Sequence, residues 1–145
     1  MVSGLGDMGL SLSFAAIGSA LGTGVAGMAA IGSWKRAFMQ NKMAPFLLIA
    51  FVGAPLSQTI YGMILRGQIL NAKLDVESYP YQIILGLAAG LAMGISAWMQ
   101  GKAGACAADA LAETGKGFSN YIMVLGVIET VALFVMVFIM TSLPK

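Results

Sequence analysis

Four long apolar stretches, at about residues 9–32, 43–65, 81–99 and 119–142, take up most of this chain. Each approaches the roughly 20 residues that a helix needs to cross the hydrocarbon core of a bilayer. Together they leave nothing substantial for a soluble domain. The composition, 59% hydrophobic and 10% charged with no His, lies outside the range of ordinary globular domains. The expected fold is therefore an all-α membrane protein with four transmembrane helices. The opening MVSGLGDMGL has no basic n-region, so the first stretch is expected to persist as a helix rather than to be cleaved as a signal peptide.

The loops carry the charge. Lys35, Arg36 and Lys42 follow the first stretch, and Lys102 and Lys116 lie between the third and fourth, whereas the second loop has only Arg66 and Lys73. This bias places the two hairpin turns in the cytoplasm and both termini outside; Lys145 at the outer end weakens the asymmetry only slightly. In a bacterium the membrane would be the plasma membrane. A dispersed net charge of +2 argues against nucleic acid as a partner. The single cysteine, Cys106, cannot form an internal disulfide or a metal cluster and is expected to be a small packed residue.

An internal repeat gives the stretches their order. A shift of 72 residues lays GSALGTG (18–24) on GLAMGIS (90–96), and a shift of 71 lays Gln58-Thr59 on Glu129-Thr130. The chain thus divides into two tandem helical hairpins, residues 1–72 and 73–145, with Gln58 in the first where the second has Glu129. Small residues at four-residue spacing, Gly18, Gly22 and Ala26 in the first helix and Gly86, Gly90 and Gly94 in the third, permit close backbone approach. Such faces suit the narrow inner wall of a ring, and they suit ordinary pairing within one chain equally well.

Glu129 is the one ionisable residue in the most apolar stretch, SNYIMVLGVIETVALFVMVFIMTS (119–142). A carboxylate near the centre of a membrane helix opposes insertion by about 2.5–3.5 kcal/mol, and such residues are usually functional. The segment Thr114-Gly115-Lys116-Gly117 reads as the turn before this helix. Both legs of a hairpin rise about 1.5 Å per residue, so counting back from the turn sets Gln100 level with Glu129. The Ala-rich run 101–113 then continues the third helix beyond the bilayer. Lys102, about 200° around the helix from Gln100, is expected to snorkel rather than pair with Glu129. In the second stretch GAPLSQTIYG (53–62) brings Ser57, Gln58 and Tyr61, and Pro55 interrupts the helix and frees backbone carbonyls. Glu129, Gln100, Gln58, Ser57 and a carbonyl form an all-oxygen set with one negative charge, suited to a hard monovalent cation. Alternatively, the neutral members could simply join helices by hydrogen bonds.

With these segments in hand, the chain resembles along nearly its whole length the duplicated proteolipid, or rotor-ring, subunit of V-type ATPases. The resemblance rests on the Gly-rich first helix, PLSQTIYG, AWMQGKAGA and VIETVALF in that order and spacing. It implies a ring of identical four-helix subunits, in contact with membrane lipids, that turns against a stator membrane subunit bearing an Arg and binds central-stalk subunits at its cytoplasmic turns. Glu129 matches the ion-carrying carboxylate. By similarity to sodium-carrying members, Gln100 and Gln58 would be side-chain ligands, Ser57 a hydroxyl ligand and the Ala54 carbonyl a backbone ligand, and Tyr61 would hydrogen-bond Glu129 and lock the site. Such members commonly carry Thr where this chain has Ser57.

The transported ion is expected to be Na+, because several converging oxygens favour a cation. A proton carried on the same Glu129 is the alternative, and a small multidrug exporter or channel a more remote one. No phosphate-cradling P-loop motif occurs. The chain is accordingly expected to bind no nucleotide or cofactor and to be a non-catalytic part of a larger enzyme.

Overall fold

A computed structural model describes residues 5–72 and 74–144. Lys73 and Lys145, two of the charges that bear on orientation, lie outside the described residues. The described residues form helices and the short connections between them: α1 (Leu10–Met39), α2 (Leu48–Gly53), α3 (Ser57–Asn71), α4 (Tyr79–Thr114) and α5 (Phe118–Ser142). Helices α2 and α3 are joined by the 3-10 turn Ala54–Leu56 and act as one span, Leu48–Asn71, so that among the described residues four helices are long and apolar enough to cross a membrane.

Breaks fall where the residues demand them. Pro45 lacks an N–H and disfavours helix in the residue before it, which moves the second span's start from the expected residue 43 to Leu48. Trp34 fastens this connection by donating from Nε1 to the Pro45 carbonyl at 2.8 Å. Helix α1 runs past the expected end at residue 32 to Met39, because the polar segment SWKRAFM continues the helix beyond its apolar part. The run 101–113 extends α4 as expected. The turn to α5 then uses Gly115 and Gly117 at φ 67° and 89°, a left-handed backbone that favours glycine.

The most extensive packing is between α1 and α4, and glycine makes it possible. A Cβ on Gly18 would overlap the Gly94 backbone, and one on Gly101 would overlap Gly22. The small-residue faces are thus used inside the chain, α1 against α4, with α3 and α5 laid outside them. One apolar cluster joins Ala15, Leu65, Ile69, Ala89, Met93, Ala132 and Met136; a second joins Ala30, Leu48, Phe51, Ala108, Leu111 and Leu125. Between the two clusters lie the polar residues of the membrane interior.

Two side chains of α4 bear on the expectations. Cys106 is exposed rather than packed, because α4 turns Gly104, Ala107, Ala108 and Leu111 inward at this level and leaves Cys106 on its outer face. Lys102 sits 4.0 Å from the centroid of the Trp98 ring, a cation–π contact, and makes no ion pair with Glu129. At the Thr114 end, Arg36 of α1 pairs with Asp109 and, at 3.6 Å, with Glu113 of α4.

Candidate functional site

The site begins at the helix break. Pro55 turns Ala54–Leu56 into a 3-10 turn, and the Ala54 carbonyl there accepts a hydrogen bond from Ser57 Oγ at 3.2 Å. The same hydroxyl lies 3.2 Å from Gln58 Oε1, so its single proton is shared between two acceptors. One residue on, Gln58 is fully buried and donates from Nε2 to Gln100 Oε1 of α4 at 2.8 Å.

Gln100 is fully buried as well and carries the network to α5. Its Nε2 donates to the Leu125 carbonyl at 3.0 Å and to Glu129 Oε2 at 3.2 Å. The other carboxylate oxygen, Oε1, accepts from the Tyr61 hydroxyl at 2.6 Å. Tyr61 stands one turn beyond Ser57 and Gln58 on α3, close enough along the helix for all three to reach the same side. Glu129 itself is only partly buried: Leu125 and Ala132 on its own helix face inward, while Val127 and Val131 are exposed.

The structure therefore brings together all six residues singled out from the sequence, Ala54, Ser57, Gln58, Tyr61, Gln100 and Glu129, in one continuous hydrogen-bonded chain across three spans. Sequence reasoning missed three features. Gln58 and Gln100 bond directly to each other. The Leu125 carbonyl accepts from the Gln100 amide and holds it in place. Ser96, one turn before Gln100, donates to the Ile128 carbonyl at 2.9 Å and so ties α4 to the turn of α5 that bears Glu129. Ser96 was findable, since it shares a helical face with Gln100 at a spacing of four.

A fully buried carboxylate lies elsewhere. Asp7 accepts from the backbone N–H groups of Gly9 at 3.0 Å and Ser11 at 2.8 Å, and packs on Gly86. It satisfies the first N–H groups of α1, where the helix dipole favours negative charge. Gly86 is about 20 Å along α4 from Gln100, so Asp7 belongs to the helix end and not to the Glu129 cluster.

The chemistry open to the cluster is limited. It has one carboxylate, two amides, two hydroxyls and a backbone carbonyl, with no thiol or imidazole. Among the described residues no group of three or more His, Cys, Asp and Glu side chains could hold a metal ion. Such a donor set cannot neutralise a divalent ion, but it suits a proton or a hard monovalent cation.

These features define an all-helical integral membrane protein with a carboxylate, Glu129, held by polar side chains in the middle of its spans. Residues 83–141 match the family model of the ATP synthase C subunit. The match covers most of α4 and nearly all of α5, and so contains Gln100 and Glu129. No curated protein matches the chain.

Proposed function

We propose that this protein is a rotor-ring subunit of a V-type rotary ATPase and carries Na+ across the membrane on Glu129. The observation that carries this reading is the convergence of Ala54, Ser57, Gln58, Gln100 and Tyr61 on one intramembrane carboxylate, in a chain whose second half matches the ATP synthase C subunit. Copies of the chain, each of two tandem hairpins (1–72 and 73–145), form a closed ring. The Thr114–Gly117 turn faces the cytoplasm and the central stalk.

The physical logic is charge neutralisation. An ionised Glu129 facing lipid is costly, and a bound Na+ removes that cost, so the loaded protomer can turn through the bilayer. The cation takes oxygens from Glu129, Ser57, Gln58, Gln100 and the Ala54 carbonyl. Tyr61, donating to Glu129 Oε1, holds the carboxylate in its loaded rotamer. At the stator, an Arg on a separate protein favours the empty carboxylate and releases the ion. Rotation is driven by ATP hydrolysis on partner proteins. A proton carrier on the same Glu129 is the second reading, favoured by the fact that Gln100 Oε1 is taken up by the Gln58 amide N–H and is not free for a cation.

A hydrophobic carbodiimide reacts only with the protonated acid and separates the two readings. In native membranes, millimolar sodium but not potassium should protect Glu129 from labelling. Labelling that follows pH alone, indifferent to sodium, would leave the proton carrier.

A further inference from the structure

Helix α5 bears the carboxylate and is the least buried of the four spans: of its residues only Leu125, Ala132 and Met136 are buried. Those three lie within about 60° of Glu129 around the helix and all to one side of it, so Glu129 stands at the edge of the one inward stripe of α5. Thr130 and Phe134, on the other side, are exposed. Apolar contact has no direction, and between helices in lipid it lacks the drive it has in water. So narrow a stripe does little to fix how far α5 is turned about its axis. A turn of one residue's 100° toward the exposed side would take the carboxylate off Tyr61 and Gln100.

Two ties to the α5 backbone supply the missing direction, and both come from one face of α4. Gln100 Nε2 donates to the Leu125 carbonyl at 3.0 Å, and Ser96 Oγ donates to the Ile128 carbonyl at 2.9 Å. The donors stand one turn apart on α4 and the acceptors about one turn apart on α5, in the order that an antiparallel hairpin requires. The Ile128 carbonyl carbon is bonded to the backbone nitrogen of Glu129, so Ser96 holds the peptide unit that leads into the carboxylate-bearing residue. A hydroxyl in a helix commonly bonds back to a carbonyl of its own preceding turn, as those of Thr23, Thr114 and Thr130 do. Ser96, 5% exposed, donates to the neighbouring helix instead.

The two ties differ in one respect. Gln100 bonds to Glu129 Oε2 as well, so its place depends on the state of the carboxylate. The Ser96 bond goes to uncharged backbone and has no such dependence. We infer that Ser96 is a positioning residue for Glu129: it holds α5 at the rotation that points the carboxylate to Tyr61 and Gln100, and keeps it there while an ion is taken up or released. The inference rests on the reading of Glu129 as the ion-carrying carboxylate, and it applies to sodium and proton alike.

The test is the rate at which a hydrophobic carbodiimide labels Glu129 at a fixed pH without sodium, in the assembled complex in native membranes. Wild type, Ser96→Ala, Ser96→Cys and Met136→Ala are compared. The reagent is dissolved in lipid and reaches the acid when α5 turns it away from Tyr61 and Gln100. Ser96→Ala should label about threefold faster, the weight of an average interhelical hydrogen bond in a membrane. Ser96→Cys keeps the size but donates weakly, should shift in the same direction, and decides the matter if Ser96→Ala does not accumulate. Met136→Ala loosens the packing of α5 two turns away, leaves both ties intact, and should label at the wild-type rate. Wild-type rates in both Ser96 variants would overturn the role of Ser96 while leaving Glu129 as the carrier. A fast Ser96→Ala beside a wild-type Ser96→Cys would point to lost volume, and an equal acceleration by Met136→Ala to loosened packing; either would overturn it too. A wild type in which Glu129 is not labelled even at acid pH would remove the reading of Glu129 as the carrier, and this inference with it.

Discussion

At the scale of single residues, the site works by satisfying a carboxylate in a medium that would otherwise reject it. Glu129 Oε1 rests on the Tyr61 hydroxyl at 2.6 Å and Oε2 on the Gln100 amide at 3.2 Å. Interhelical hydrogen bonds in membranes are worth about 0.6 kcal/mol on average and up to about 1.7, and a hydrogen bond to a charged group stands toward the upper end. Tyr61→Phe removes the first bond and leaves the ring in place. It should weaken sodium retention by roughly three- to tenfold with assembly intact, as read from the sodium needed to protect Glu129; an unchanged requirement would show that the hydroxyl does not hold the loaded carboxylate. Much at this scale was legible in the sequence. An isolated Glu in an apolar run, and counting outward from a Gly-rich turn, brought Gln100 and Lys102 close to the depth of Glu129, and the helical angle between those two separated them. The Gln58–Gln100 bond was not legible, because it depends on how far α3 lies from α4. The burial of Asp7 was hidden too, since it depends on Gly86 of another helix making room.

At the scale of helices, the arrangement depends on how closely α1 approaches α4. Glycine at Gly18, Gly22, Gly94 and Gly101 lets the two backbones touch, and Gly22 also seats Pro55 against α1. Gly101→Val should overpack this contact, at a cost of about 1–3 kcal/mol or more, since backbone and not a flexible side chain stands in the way. Gly126→Ala, where a Cβ meets nothing within 4 Å, should be tolerated. Protein accumulated in membranes and the thermal stability of the extracted protein would report the contrast; equal behaviour of the two variants would mean that the close approach is not required. The four-residue spacing of glycines announced a packing face but not its partner. That α1 takes α4, rather than only its neighbour in the chain, is a property of the assembled bundle. The length of α4 could be read in advance, because the Ala-rich run 101–113 contains no proline and its two glycines, Gly101 and Gly104, stand apart among helix formers. The exposed face bearing Cys106 could not, because Ala and Gly on either side of the helix look alike in sequence.

At the scale of the whole molecule, two ends and a middle divide the work. One end is tied by Asp7 under α1, and the other by Arg36 against Asp109 and Glu113. Between them the Glu129 cluster is held on three spans but not enclosed, as befits a site that would be completed and then opened by neighbouring proteins. The family match over residues 83–141 covers α4 and α5, the two helices that carry Gln100 and Glu129, and agrees there with the resemblance to rotor-ring subunits. In the proposed rotor the two hairpins would share the labour unequally, the first contributing Gln58 and the second the charge. The most direct measurement of this account is ATP-driven uptake of radioactive sodium into inverted membrane vesicles, comparing the wild type with Glu129→Gln in the full complex. The account predicts uptake that requires ATP, persists when a protonophore collapses the proton gradient, and vanishes in Glu129→Gln. Uptake that survives in Glu129→Gln, or sodium movement that disappears with the proton gradient in the wild type, would contradict it.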